Sequence, residues 1–236
     1  MNEVLTIDGL AGGYTDVDII HGIDLSVNPQ EIVTIAGTNG AGKSTFLKAL
    51  LGLLPRTKGS VKLYGQDISH LGTEARIEQG LAYVPQVTNV FRTLSVYENL
   101  LVADKRVTRS QIDEMLQVFP ALKTRLSQQA GTLSGGERQQ LAFARALIRS
   151  PKLIILDEPT AALAPKLIQS IFDVIVQLKQ LNVAVLMVEQ RARQALDISD
   201  RAYILDQGKV VLAGAAHELL NNPEMVELYL GTQTHT

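Results

Sequence analysis

The sequence predicts an α/β chain: a parallel sheet with packed helices, further strands near its start, and an inserted helical stretch. Three observations predict it. Short β-branched runs broken by turn residues fill the first third. From about Val87 the pattern becomes polar and helical, without strong strands. Beyond that stretch, apolar strand-like runs alternate with helix-patterned segments, the mark of parallel βα units.

In order, "EVLTIDGL", "GIDLSVN", "EIVTIAG" and "SVKLYG" read as strands. The third runs through a glycine-rich loop into "KSTFLKALLGLL", whose apolar residues have helical spacing. "SVYENLLVADKR", "SQIDEMLQVF" and "PALKTRLSQQA" then read as helices. The last third sets the strands "KLIILDEP", "VAVLMVEQ" and "RAYILDQG" between the helices "KLIQSIFDVIVQLKQL" and "RARQALDI". The expected organisation is one α/β domain with a helical insertion running from about Val87 to Thr132.

Composition narrows the class. Of 236 residues, 46% are hydrophobic, enough for a substantial core and too many for a disordered tail. Cysteine is absent, which removes disulfides, thiolate metal sites and thiol catalysis. No apolar run approaches the roughly 20 residues that span a bilayer, and "MNEVLTIDGL" lacks the build of a secretory signal. A cytosolic chain is expected. Net charge is −2 with scattered basic residues, so nucleic acid is not an expected partner.

"GTNGAGKST", Gly37 to Thr45, fits G-x-x-x-x-G-K-[ST] between a strand and a helix. Backbone amides over Gly37, Asn39, Gly40, Gly42 and Thr45 would wrap phosphate oxygens, helped by the positive end of the helix dipole. Lys43 is placed for the β- and γ-phosphates and Ser44 for Mg²⁺. A chance glycine turn is the bland alternative, and the flanking strand and helix argue against it. "KLIILDEPT" supplies the acidic half of such a site: Leu153 to Leu156 bury a strand from whose carboxyl end Asp157 emerges. Asp157 would hold Mg²⁺ through water, and Glu158 would take a proton from the attacking water.

"LSGGERQQLAFARAL" precedes that strand. Ser134 reads as an N-cap, and Gly135 and Gly136 would leave an exposed, amide-rich helix start suited to a phosphate. Together the motifs resemble the ATP-binding subunits of ABC transporters, whose signature sequence is LSGGQ or LSGGE. The resemblance covers nearly the whole chain and implies a single ABC ATPase domain of the P-loop NTPase type over 1–236, with N-terminal antiparallel β strands and an α-helical subdomain at 87–149 inserted within it. It gives Gln86 in "YVPQ" the part of the Q-loop glutamine that ligates Mg²⁺ and senses the membrane partner. It gives Tyr14 the part of the aromatic that stacks on adenine. It also implies a head-to-tail dimer, each ATP lying between one chain's phosphate loop and the other's signature helix.

"EPTAALAP", "LSVYENLLVA" and "LMVEQRARQAL" resemble importers of branched-chain and other hydrophobic amino acids, specifically the smaller of their two ATPases. That resemblance implies a second ATPase subunit, two transmembrane permease subunits, an extracytoplasmic solute-binding protein, and a place on the inner face of the membrane. Importers of urea or short amides share the design, and the nucleotide motifs do not separate them. Two positions depart from the family pattern. Gln190 stands where most members have the switch histidine, and Ala164 where the D-loop usually has aspartate. A glutamine can orient water but cannot become cationic. His21, His70, His217 and His235 are distant in sequence and expected at the surface. Glu189 and Arg191 are expected to face away from the phosphates. Two further readings stand beside the importer: an ATP-binding regulatory partner with weak hydrolysis, opposed by intact Glu158, and a soluble ABC ATPase, opposed by the Gln86 and "LSVYENL" pairing.

Overall fold

A computed structural model describes residues 3–87, 89–161 and 163–225. His235 and the "VELYLG" stretch lie outside the described residues. The elements run β1 (Leu5–Gly13), β2 (Ile20–Val27), β3 (Ile32–Ala36), α1 (Lys43–Leu50), β4 (Arg56–Leu63), β5 (Gln66–Asp67), α2 (Thr73–Glu78) and β6 (Leu81–Val84). Helices α3 (Val96–Leu101), α4 (Arg109–Val118), α5 (Pro120–Lys123) and α6 (Gly135–Leu147) follow without an intervening strand. The remainder is β7 (Leu153–Asp157), α7 (Pro165–Leu178), β8 (Ala184–Glu189), α8 (Ala192–Leu196), β9 (Arg201–Asp206), β10 (Lys209–Ala215) and α9 (Ala216–Leu219).

The strands form two sheets. One is antiparallel, in the order β2-β1-β4-β5; the other is six-stranded, in the order β10-β9-β3-β8-β7-β6. In the second, β9, β3, β8, β7 and β6 run parallel, and only β10 pairs antiparallel. Its central strands are buried on both faces, as parallel sheets require. Ile155, Leu186 and Ile35 face a core shared with the first sheet and α1, whereas Ile154, Leu156 and Met187 face one shared with α6 and α7. That is why "LIIL" and "AVLMV" read as unbroken apolar runs rather than as alternating ones.

Local chemistry fixes the helix starts near the site. Ser95, Thr108 and Ser134 each close a capping box with the Glu or Gln three residues on. Helix α7 begins with Pro165 at its first position, but its N-cap is Ala164, which has no side-chain acceptor. The far end of α1 is held differently. The Arg76 guanidinium, 3% exposed, donates to Ala49 O, Leu50 O, Leu71 O and Ser69 O. It therefore occupies the negative end of the helix whose other end carries Lys43.

Candidate active site

Strand order brings four loops to one edge. The carboxyl ends of β3, β8, β7 and β6 lie side by side and lead into Gly37, Gln190, Glu158 and Gln86. Ala36 pairs with Glu189 and Asp157 with Val188, so Gln190 follows between the start of the phosphate loop and the acidic pair. Ligands of open α/β sheets collect at this kind of edge.

The phosphate loop closes tightly on its own backbone. A Cβ added at Gly37 would lie 2.8 Å from Leu205 O and 2.9 Å from Ala41 Cβ, so the wall of the cradle has no room for a side chain. Gly42 packs against Gly208 of the β9–β10 turn, whose amide donates to Ala41 O (2.9 Å) while its carbonyl accepts from the His21 amide (2.9 Å). Gly208 lies at φ +76°, and a Cβ there would run into the Ile19 carbonyl oxygen. One glycine thus ties both sheets to the loop. Asn39 and Gly40 stay exposed at its crest, and Ser44 is exposed at the first turn of α1, while Thr45 is buried.

Lys43, 6% exposed, donates to Gly37 O (2.7 Å) and Thr38 O (3.1 Å) and lies 3.9 Å from Glu158 Oε1. Burial lowers its pKa, and the attraction of Glu158, Glu189 and Asp157 only partly offsets this. Burial raises the pKa of Asp157 and of Glu158, against the opposing pull of Lys43 on both. Asp157 is held by the Tyr83 hydroxyl (2.9 Å), whose own pKa is raised first by burial and then by that carboxylate. Gln86 Nε2 donates to Glu158 Oε2 (2.9 Å), joining the loop after β6 to the acidic pair. Lys43, Asp157, Glu158 and Gln86 therefore form one cluster.

Glu158 sits at φ +44°, a left-handed conformation that a side-chain-bearing residue rarely adopts. Its amide donates to Val188 O (2.8 Å), and its carbonyl accepts from the Ala161 amide (2.9 Å) across the turn. Gln190 is exposed at the end of β8. Arg191 is also exposed, but Glu189 is not turned out to solvent: it is 1% exposed and close enough to affect both Lys43 and Glu158.

Tyr14 is 46% exposed beside α1, with Lys48 Nζ 5.0 Å from its ring centroid. Lys48 lowers its pKa. An open aromatic face by the phosphate helix suits a purine. His21, His70 and His217 are exposed, as expected.

Among the described residues, no hydrogen bond or ion pair joins the Ser134 region to this cluster. Ser134 is exposed and caps α6, accepting from the Glu137 amide (3.3 Å). Glu137 is committed to the Ser134 amide (2.9 Å) and to Arg125 (2.7 Å). The helix start is less open than the sequence suggests. Gly135 is half-buried and Gly136 buried, because Leu163 and Leu167 pack against them.

Comparison with known proteins gives this arrangement its family. The ABC transporter family matches residues 20–161, more than half of the chain. The chain belongs to the ABC transporter family. It is an ATPase subunit that binds and hydrolyses ATP, and an ATP-binding subunit of an ABC transporter works with a membrane permease. It is 42% identical, over 97% of its length and 100% of the relative's, to the high-affinity branched-chain amino acid transport ATP-binding protein BraG of Pseudomonas aeruginosa. It is 43% identical to the probable branched-chain amino acid transport ATP-binding protein LivF of Archaeoglobus fulgidus, covering 94% and 96%. The lipopolysaccharide export ATP-binding protein LptB of Haemophilus influenzae is 36% identical, with 98% of each chain covered. Among solved structures, the ADP conformation of an ATP-binding cassette of an ABC transporter superposes with a TM-score of 0.86 at 26% identity, covering 98% of this chain and 100% of that one. No helix among the described residues is long and apolar enough to cross a membrane.

Proposed function

We propose that this ABC ATPase subunit powers import of branched-chain or other hydrophobic amino acids. The observation that carries the reading is near-full-length identity of 42% and 43% to two branched-chain amino acid transport subunits, against 36% to an export subunit. In this reading the chain is one ATPase domain with the 87–149 helical subdomain inserted, and it sits on the inner face of the membrane. It pairs head to tail with a second ATPase subunit and docks on two permease subunits fed by an extracytoplasmic binding protein. Exposed Val87 and Phe91, which follow Gln86 in the chain, together with a groove of about 320 Å³ lined by Pro85, Asn89, Ala103 and Arg145, support docking there.

Within the site, Gly37, Asn39, Gly40, Gly42, Lys43 and Thr45 hold the phosphates, and Tyr14 holds the base. Ser134, Gly135 and Gly136 serve the site on the partner's phosphate loop. The Ser134 Oγ accepts from the Glu137 amide, leaving its proton to donate to a phosphate. Ser44, Asp157 and Gln86 present the hard oxygen atoms that Mg²⁺ favours, few enough to leave places for phosphate and water. Bound there, Mg²⁺ would neutralise phosphate charge. Glu158 accepts the proton of the attacking water, and its burial-raised pKa makes it a better base than a free glutamate. Gln190 orients that water. Intact Glu158 beside Lys43 favours a working ATPase over a weakly hydrolysing regulatory partner.

Reconstitution with its membrane subunits and binding protein in proteoliposomes tests the reading. ATP-dependent uptake of leucine, isoleucine or valine is expected. Uptake of urea or short amides without these amino acids would refute it.

A further inference from the structure

The buried carboxylate of Glu189 has no part in the reactions above, and taking a carboxylate out of water is unfavourable unless its contacts offset the lost hydration. Those contacts are specific. One oxygen accepts from both the Thr160 amide (3.0 Å) and the Thr160 hydroxyl (2.7 Å), and the other from the Gln190 amide (3.2 Å). Thr160 is fully buried. It lies two residues beyond Glu158, in the turn that holds Glu158 at φ +44°. A side-chain-bearing residue in that left-handed region is strained and persists only where its surroundings over-determine it.

We propose that Glu189 is a positioning residue that locks the strained Glu158 turn to Gln190, fixing the spacing of base and water-orienting amide. The proposal rests on the roles assigned above to Glu158 and Gln190. All three groups facing Glu189 are donors, so the position calls for acceptors on both oxygens, which a carboxylate has and a carboxamide lacks. A glutamine there would turn an NH₂ against either Thr160 or Gln190 and release one side of the lock. Glu189 is not a second base, because its oxygens already serve these three donors.

The test compares E189Q, T160V and E158Q, alone and combined, in the purified chain assembled with its partner subunits. E189Q is expected to lower kcat by about 10- to 100-fold, the penalty of a misplaced catalytic group, with a much smaller change in KM for ATP, because the phosphate loop keeps its contacts and loses only the attraction of the Glu189 charge for Lys43. T160V, which exchanges the hydroxyl for a methyl and keeps the amide donor, should lose less. In the E158Q background E189Q should add little, because it acts through the base. Amide exchange at Thr160 and Gln190 should accelerate in E189Q while exchange in α1 does not change. An E189Q enzyme with unchanged kcat overturns the proposal, as does a loss that multiplies in full with that of E158Q, or one that raises KM in proportion. If E158Q alone hydrolyses at the unmutated rate, the assignment of the base has failed, an outcome that the single E189Q variant does not mimic.

Discussion

Lys43→Ala should weaken ATP binding by an amount that follows from what the ammonium does before nucleotide arrives. In the structure it donates to two loop carbonyls, Gly37 O and Thr38 O, which it must release to meet phosphate. A unit charge pair at about 4 Å is worth about 4 kcal/mol at an effective dielectric of about 20. The two released bonds come from a charged donor and are worth about 1.5 kcal/mol each. The difference is about 1 kcal/mol for one phosphate charge and about 3 kcal/mol if a second is engaged at a greater distance. Those values correspond to about 5- and about 150-fold in Kd. Titration calorimetry with a non-hydrolysable ATP analogue measures the change directly, and AMP, lacking the β- and γ-phosphates, should bind both proteins alike. An ATP-analogue affinity within about threefold of the unmutated chain would refute the placement of Lys43.

Glu158→Gln should bind ATP, trap it in a stable dimer and fail to turn it over, and normal hydrolysis by the assembled complex would remove Glu158 as base. The same variant should also melt higher than the unmutated chain at neutral pH without nucleotide. Because folding raises the Glu158 pKa, its stabilising contribution exists below the ordinary value of 4.5 and is lost as pH rises through the folded value, so the advantage should close on acidification. Gln190→Ala should slow single-turnover hydrolysis by about 10- to 100-fold, or about 1.4–2.7 kcal/mol of barrier, with ATP affinity little changed; a rate equal to the unmutated one, with the partner's site disabled, would leave Gln190 a strand-end residue. Arg76→Met strips four backbone carbonyls of a charged donor, although Ala49 O keeps the Gly52 amide. Relief of the buried charge offsets part of that loss, and a net of about 2–4 kcal/mol should lower Tm by about 5–15 °C; a shift below about 2 °C would show that the carbonyls find other partners.

Most of the site's parts were legible because they are local. A strand, a glycine-rich loop and a helix in sequence are enough to place Lys43, and four apolar residues ending in Asp157 and Glu158 place the acidic pair. Ser134 with Glu137 three residues later is a capping signal in any context. What escaped was set between segments distant in sequence. Nothing in "VEQR" says that Glu189 turns inward, because its donors belong to Thr160, on the neighbouring strand's turn. Nothing in "TEARIE" says that Arg76 reaches the end of α1, 26 residues away at Leu50. Tyr83 reads as an ordinary strand residue until β6 pairs with β7 and brings its hydroxyl to Asp157. The burial of Gly136 likewise depends on where α7 lands, which periodicity within "LSGGERQQL" does not encode.

The tie at Gly208 matters for interpreting inherited or laboratory variation in this chain. Gly208 falls in none of the nucleotide motifs, and an alanine there, strained like any side chain at φ +76°, would be taken for a local fault of the hairpin. Here the added methyl would strike the Ile19 carbonyl, and the hairpin would have to shift to make room. The hydrogen bond from Gly208 to Ala41 would shift with it, taking the floor of the phosphate loop along. A Gly208→Ala allele would then behave as a nucleotide-binding defect mapped to the wrong end of the gene. Screens that score only motif positions would class it as neutral.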